Sequence, residues 1–220
     1  MQSVKVRSYS RAARRESRRQ QIIEATIMSI DQVGFADTTL ATVARIAGVA
    51  QGSLIFHFKT KDELLVAALR HMSDEYRNIW RAALEHVVDE PLTQLCVLVA
   101  TEFQPNVCSR KKIGVWKAFW AEAKSRPLYQ EICGERDNER HDVLRDCVAR
   151  VLGAMTDSQR TNDIALAIDT QLDGLSENLL ADQEPFSRFD AARIAFLTLT
   201  AFFPQREDQI WDHYLMHFQR

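Results

Sequence analysis

The sequence predicts an all-α protein, and three observations support that fold class. Only 7 Gly and 5 Pro interrupt the 220 residues, which favours long helices. Apolar residues return every three or four positions in one segment after another. The alternation typical of β-strands never persists beyond four residues. We therefore expect a small N-terminal helical unit followed by a larger helical bundle.

The first helix is predicted to run from Arg18 to Gly34. Its apolar side chains, at helical spacing, are Ile22, Ile23, Ile27, Ile30 and Val33. Gly34 favours a helix stop because glycine adopts a positive φ without strain. Residues 1–17 lack apolar periodicity and are predicted to form a flexible basic arm.

Two short helices follow, separated by a glycine. Thr38 or Thr39 is expected to cap the second helix, whose inner face carries Leu40, Val43, Ala44 and Ala47. Gly48 allows the sharp reversal. A third helix begins near Ala50, with Leu54 directed inward. Two helices joined so tightly and braced by a preceding helix are typical of the helix-turn-helix, which binds the major groove of DNA.

A capping box, Thr60 with Glu63, predicts the start of a long fourth helix. Beyond it, Pro and Gly breaks separate further helices, predicted at roughly 91–104, 110–124, 127–153, 159–182, 187–203 and 205–219. The predicted domains are therefore residues 1–17 as arm, residues 18–59 as helix-turn-helix unit and residues 60–220 as a larger helical domain.

The charge is distributed unevenly along the chain. Residues 1–62 contain ten basic and five acidic side chains, whereas the remainder contains 18 basic and 25 acidic ones. A basic end on a chain with a formal net charge of -2 indicates a polyanion partner at that end. A solvated N-terminal segment without a partner would have the same run of basic residues. The charge alone does not distinguish this alternative from a polyanion-binding segment.

The N-terminal motifs resemble those of the TetR superfamily of bacterial transcriptional regulators. The resemblance rests on Gly34-Phe35, on TLATVARIAGVAQGSL starting at Thr39 and on HFKTKDELL starting at His57. Further along, GVWKAFWAEA from Gly114, RPLY from Arg126 and AIDTQLDGL from Ala167 are similar to the C-terminal domain of the BetI-like branch, repressors of the choline-to-glycine-betaine pathway.

This resemblance implies roles for particular residues in DNA binding. Thr39 would meet a phosphate at the start of the second helix, and His57 and Lys61 would hold the backbone. The groove would be faced by Ala50, Gln51, Gly52 and Ser53. Many family members have Ser or Thr at the position of Ala50 and Tyr at that of Ile55, so this chain lacks a cap and a phosphate contact. Four arginines near the N-terminus are expected to compensate at phosphates or in a minor groove, namely Arg14, Arg15, Arg18 and Arg19.

The resemblance also implies a homodimer and a small-molecule effector that releases double-stranded operator DNA. The dimer would form through approximately residues 159–182 and 187–203, and the operator would be a near-palindrome. The expected protein is a repressor, with choline or a related quaternary ammonium as the candidate effector.

Aromatic side chains suggest where such an effector would bind. Trp116, Phe119 and Trp120 recur at i, i+3 and i+4, and aromatic walls with a carboxylate are suited to a quaternary ammonium. Phe103 is a further aromatic candidate. The charge is expected from Glu122, Asp169 or Asp173. The alternative is that these aromatic residues form ordinary core.

Other classes of function receive no support from the motifs. The chain has no G-x-S-x-G, phosphate loop or H-E-x-x-H motif, so we expect no enzyme activity and no cofactor. Four widely spaced cysteines are expected to be buried free thiols, and His213 with His217 lacks a third metal ligand. No long apolar run or secretory signal is present, so we expect a cytoplasmic protein without a membrane contact.

Three alternatives stay open from the sequence. One is a TetR-type regulator of another pathway with an unrelated organic ligand. Another is an architectural DNA-binding protein without an effector. The third is an enzyme that merely carries a hairpin similar to a helix-turn-helix.

Overall fold

A computed structural model describes residues 10–121, 126–153, 157–181 and 186–219. All regular elements in these ranges are helical, which confirms the all-α prediction. The α-helices are α1 (Arg11–Asp37), α2 (Leu40–Ala47), α3 (Gln51–His57), α4 (Lys61–Glu85), α5 (Pro91–Glu102), α6 (Arg110–Ala121), α7 (Arg126–Leu152), α8 (Ser158–Asn178), α9 (Arg188–Phe202) and α10 (Glu207–Phe218). A 3₁₀ turn, Pro204–Arg206, precedes α10.

Helix α1 begins earlier than the sequence pattern predicts. It starts at Arg11 instead of Arg18, so residues 11–17, which we expected in the flexible arm, are helical. The Ser10 hydroxyl accepts a hydrogen bond from the Ala13 amide at 3.2 Å and caps this end. Alanine, arginine and glutamate favour helix even without an apolar face, which is why periodicity missed the segment. The remainder of the arm, residues 1–9, lies outside the described residues.

The helix-turn-helix forms as predicted. Thr39 caps α2, accepting a hydrogen bond from the Thr42 amide at 3.1 Å. Gly48 has a φ of 63°, in the left-handed region, and its amide donates to the carbonyls at the end of α2. Ala50 occupies the cap position of α3 without a side-chain hydrogen bond, so the missing cap expected there is confirmed. The turn geometry therefore depends on backbone contacts and on packing beneath α3.

The N-terminal unit shares its core with the bundle. Leu54 is fully buried beneath α3 and packs with apolar residues of α1, α2 and α4. The same cluster includes Val115 and Phe119 from α6. Phe119 meets Phe35 of α1 edge to face, with ring centroids 5.3 Å apart. The helix-turn-helix unit is therefore in direct packing contact with α4 and α6.

The start of α4 differs from the expected capping box in one detail. The Thr60 hydroxyl accepts from the Glu63 amide at 3.1 Å, as predicted. The Glu63 carboxylate, however, accepts from the Lys59 amide at 2.8 Å and not from residue 60. The carboxylate therefore holds the backbone at Lys59, one residue before the expected position, in the connection between α3 and α4.

The larger core lies among α5, α7, α8, α9 and α10. Cys96, Cys108, Cys133 and Cys147 are buried and form no disulfide with the described residues, as expected. Burial raises the pKa of Cys96 to about 12 and the pKa values of Cys108 and Cys147 to about 11. These three thiols therefore stay protonated near neutral pH.

Helix α10 packs on α5 and α9. A His213 ring nitrogen lies 3.2 Å from the Thr93 hydroxyl on α5. No cluster of three or more potential metal ligands occurs among the residues that the structure describes. Within the same ranges, none of the helices is both long enough and apolar enough to span a bilayer.

Candidate DNA interface and effector cavity

The exposed face of α3 carries the residues expected to read DNA. Gln51, Gly52 and Ser53 are all exposed, and Ala50 lies exposed immediately before them. Burial of Leu54 fixes the rotation of α3, so that this face is directed away from the protein. Hydrogen-bonding groups on an exposed helix of this size are suited to base edges in a major groove.

Two apolar side chains extend the exposed face beyond the residues that sequence reasoning selected. Ile55 is 44% exposed and Phe56 is 67% exposed. The Arg15 guanidinium lies 5.2 Å from the centroid of the Phe56 ring. Their exposure could not be assigned from spacing alone, since it depends on how α3 is rotated against α1 and α4.

Lys61 lies at the start of α4, as expected, but its ammonium group is already engaged. It donates to the carbonyl oxygens of Phe35 at 2.9 Å and Ala36 at 2.8 Å. These contacts hold the last residues of α1, which follow the break in the helix at Gly34 (φ 81°), against α4. An ammonium group has three donors, so one remains for a phosphate.

The N-terminal arginines proposed to contact DNA differ in the side chains that they meet. Arg15 and Arg19 stack on Phe56 and Phe58 of the recognition region, each at 5.2 Å. Arg18 instead donates to the Gln21 side chain at 3.0 Å. Two of the four predicted arginines, Arg15 and Arg19, therefore lie close to His57 and the end of α3.

A cavity of about 500 Å³ lies among α4, α5, α6, α7 and α8. Of the predicted effector residues, Trp116, Trp120, Asp169 and Asp173 line it. Trp80 and Tyr76 of α4 add further aromatic surface. The cavity is large enough for a small organic ligand and combines aromatic walls with charged groups.

Two predicted effector residues lie in the core instead of the cavity wall. Phe119 is fully buried in the cluster shared with α1, where it contacts Phe35. Phe119 and Trp120 are adjacent in the sequence and therefore point in directions about 100° apart around α6. Only Trp120 lies on the cavity side together with Trp116. Phe103 is also fully buried, within the core of the bundle. Glu122 lies outside the described residues.

A buried ionic network closes one side of the cavity. Arg140, only 9% exposed, pairs with Glu102 and with Asp169, each at 2.7 Å. Tyr76 donates to Glu102, and burial raises the pKa of this phenol, which keeps it protonated. The second oxygen of Asp169 lies 2.7 Å from His141. Asp169, one of the predicted charge donors, is therefore already neutralised by side chains of α7.

Asp173 is the cavity carboxylate that remains available. It forms no hydrogen bond or ion pair with the described residues. The neighbouring Lys117 pairs with Glu177 instead. Desolvation raises the pKa of Asp173, with Lys117 opposing the shift. An organic cation bound beside the tryptophans would supply the missing counter-charge.

Comparisons with known proteins agree with this architecture. Residues 22–68 match the family described as bacterial regulatory proteins, tetR family. Residues 91–204 match the family described as BetI-type transcriptional repressor, C-terminal. The two matches cover the helix-turn-helix unit and most of the bundle that contains the cavity.

Curated relatives extend the similarity over most of the chain. The HTH-type transcriptional regulator BetI of Paraburkholderia phymatum is 33% identical over 196 residues, which cover 82% of this chain and 90% of that relative. The BetI regulator of Paraburkholderia xenovorans is 31% identical over 184 residues, covering 82% of this chain and 91% of the relative.

Solved structures share the fold at lower identity. A putative transcriptional regulator from Pseudomonas aeruginosa aligns with a TM-score of 0.72 at 20% identity, covering 89% of this chain and 94% of that one. A putative transcriptional regulator from Saccharomonospora viridis, solved in complex with choline, aligns with a TM-score of 0.71 at 20% identity, covering 82% of this chain and 94% of that one. Together with the family matches, these similarities mean that the chain belongs to the TetR family of bacterial transcriptional regulators and carries a BetI-type repressor C-terminal domain.

Proposed function

We propose that the protein is a dimeric repressor that leaves its operator when a small quaternary ammonium compound, such as choline, enters the cavity beside Asp173. The observation that carries the proposal is the combination of an unpaired carboxylate with the indole rings of Trp80, Trp116 and Trp120. Aromatic faces attract a cation that cannot donate hydrogen bonds, and the carboxylate adds the counter-charge. The choline complex of the Saccharomonospora viridis protein supports this class of ligand.

The DNA contacts fall into two kinds. Gln51 and Ser53 offer hydrogen bonds to base edges, whereas Thr39, His57 and Lys61 are positioned at the periphery for phosphates. In a dimer, each α3 would read one half of a near-palindrome, with the two half-sites about 34 to 36 Å apart. Genes of choline or glycine betaine metabolism are the proposed targets, because the C-terminal motifs resemble those of the BetI-like branch.

Changing Gln51 and Lys61 to Ala separately is expected to distinguish base reading from backbone contact. Gln51→Ala should change which operator bases are preferred, because it removes hydrogen bonds to base edges. Lys61→Ala should weaken binding to all sequences and lower its salt dependence, because it removes a phosphate contact. Binding-site selection from random duplexes measures the first effect, and titrations at several salt concentrations measure the second. A changed base preference in Lys61→Ala would contradict these roles.

Helices α8 and α9 are the proposed dimer surface. Leu166 on α8 is 59% exposed and Leu197 on α9 is 51% exposed in the single chain. Large apolar side chains of this exposure on neighbouring helices favour a protein partner. Pairing both helices with those of a second copy would bury these leucines in a four-helix arrangement.

The double change Leu166→Asp and Leu197→Asp is expected to produce monomers, because it places carboxylates in the proposed apolar interface. DNA affinity should fall at least about tenfold, since a monomer contacts one half-site only. Analytical ultracentrifugation measures the mass, and fluorescence anisotropy measures the affinity. Val88→Asp is the control, because Val88 is 78% exposed and lies between α4 and α5. A dimer that survives the double change would place the interface elsewhere.

Coupling between cavity and DNA would pass through α4. Tyr76 and Trp80 line the cavity, whereas Lys61 at the start of the same helix donates hydrogen bonds to the last residues of α1. A displacement of α4 by the effector would change the separation of the two recognition helices. Release requires that the effector bind the displaced state more tightly than the DNA-bound state.

Titration of a protein–DNA complex with choline, betaine aldehyde and unrelated metabolites tests this proposal. The duplex is first selected from a random pool by the purified protein. We expect the quaternary ammonium compounds to release DNA, and uncharged compounds of equal size to have no effect. Release by an unrelated metabolite alone would favour a TetR-type regulator of another pathway. Binding to DNA without release by any compound would favour an architectural protein.

A further inference from the structure

A second cleft, of about 520 Å³, lies between the N-terminal end of α1 and the end of α3. Its lining residues are Arg11, Ala12, Arg15, Glu16, Arg19 and His57. The three arginines recur every four residues, so they form one row along α1. They face a single carboxylate, that of Glu16, which leaves the cleft with an excess of positive charge. Since α1 begins at Arg11, all three arginines are helical, which is why they lie in one row.

Stacking against aromatic rings orients two of the three guanidinium groups. Arg15 lies over Phe56 and Arg19 over Phe58, each 5.2 Å from the ring centroid. Phe58 is 3% exposed and belongs to the core, so Arg19 is stacked on a fixed platform. A stacked guanidinium group keeps the N–H donors of its edge free for an anion.

These donors have no partners among the residues that the structure describes. Arg11, Arg15 and Arg19 form no side-chain hydrogen bond or ion pair with the described residues. Arg18, on another face of the same helix, donates to Gln21 at 3.0 Å. Three arginines without counter-ions around one cleft are suited to a phosphate, which accepts paired hydrogen bonds from guanidinium groups.

The pKa of His57 is consistent with the same excess of positive charge. Burial lowers the pKa of His57, and the charges of Arg15, Arg19 and Arg18 lower it further, whereas Glu16 acts in the opposite direction. An anion in the cleft would offset the arginine charges and raise this pKa. Filling the cleft would therefore be accompanied by proton uptake at His57.

We propose that this cleft binds one backbone phosphate of the operator, flanking the half-site that α3 reads, through Arg15 and Arg19. The proposal rests on the proposed DNA-binding function and divides the basic residues of α1 into two groups. The cleft adjoins His57, the last residue of α3, so a DNA strand at the edge of a groove occupied by α3 would pass near it. Arg14 and Arg18 contribute only long-range attraction.

Matched pairs of substitutions test this division. Arg15→Gln with Arg19→Gln removes the cleft contact, whereas Arg14→Gln with Arg18→Gln removes the same charge from the other face. Each neutralised phosphate contributes about 0.9 to the slope of log affinity against log salt concentration. The first pair should therefore lower the slope by roughly 1.8 for a dimer with two clefts. The second pair should lower it by less than half as much. Far-UV circular dichroism verifies that both proteins keep their helices.

Neutral methylphosphonates in the selected duplex locate the phosphate without changing the protein. We expect one backbone phosphate per half-site at which a methylphosphonate weakens binding of the wild-type protein on the order of tenfold. The same replacement should hardly affect binding of the Arg15→Gln, Arg19→Gln protein. Wild-type affinity should also rise as the pH falls from about 7.5 to 6, because the complex takes up protons at His57. That rise should disappear in His57→Gln.

The outcomes separate this proposal from the DNA-binding function on which it rests. Equal salt slopes for the two pairs, or no position with pair-dependent sensitivity, would overturn the phosphate cleft and leave DNA binding intact. Failure of the wild-type protein to select any duplex would overturn both. Added inorganic phosphate, at constant ionic strength, should displace DNA better from wild type than from the Arg15→Gln, Arg19→Gln protein, because it competes for the donors of the cleft. Equal displacement from the two proteins would argue against a phosphate site in the cleft.

Discussion

Asp173→Asn is expected to weaken binding of a quaternary ammonium effector at least about tenfold and to leave DNA affinity without effector unchanged. The change removes the cavity carboxylate that has no partner among the described residues. At an effective dielectric constant of about 20, unit charges about 5 Å apart attract each other by roughly 3 kcal/mol. Solvent at the cavity mouth screens part of this attraction, so tenfold is a conservative expectation. Isothermal titration calorimetry with choline measures the affinity.

Glu177→Gln is the matched control for that change. Glu177 lines the same cavity but is paired with Lys117, so its loss should affect effector binding much less. The raised pKa of Asp173 adds a pH test. Only the ionised carboxylate attracts the cation, so wild-type affinity should fall as acidification protonates Asp173. This pH dependence should be absent from Asp173→Asn. Equal losses in the two variants would argue against Asp173 as the anchor.

Leu54→Ala is expected to lower the free energy of unfolding by about 2 to 5 kcal/mol, the range for removing a buried leucine side chain. Leu54 is fully buried and holds α3 against its supporting helices. DNA affinity should fall as well, although Leu54 is turned away from the surface proposed to contact DNA. Denaturant unfolding followed by circular dichroism measures the stability.

Ile55→Ala provides the comparison for the core substitution. Ile55 is the next residue on α3 but is 44% exposed, so its truncation should change the unfolding free energy by less than about 1 kcal/mol. Similar stability losses for Leu54→Ala and Ile55→Ala would mean that α3 is rotated differently from the structure described.

Local chemistry explains which parts of the fold the sequence predicted well. Gly48, the Thr39 cap and the burial of Leu54 each depend on neighbouring residues, and all three are found as expected. The beginning of α1 was missed because an exposed arginine-rich helix has no apolar stripe. Family membership, moreover, confirms the expectation that the chain is a regulator and not an enzyme.

The candidate effector site was only partly predictable because it depends on contacts between distant segments. Spacing identified Trp116 and Trp120 but also selected Phe119, which faces the opposite core. Asp169 pairs with Arg140 of α7, whereas Asp173 does not. The sequence around the two aspartates does not predict this difference. Tyr76 and Trp80 join the cavity only because α4 packs beside the bundle helices. These differences arise from tertiary packing, which periodicity does not encode.

Reciprocal titration tests the central claim, that effector and DNA compete through two states of one dimer. Effector affinity is measured for the free protein and for the protein saturated with operator, and DNA affinity is measured with and without saturating effector. Linkage requires the two affinity ratios to be equal. We expect DNA to weaken choline binding by the factor by which choline weakens DNA binding, on the order of tenfold to a hundredfold. Choline binding of equal strength to free and DNA-bound protein would contradict the account.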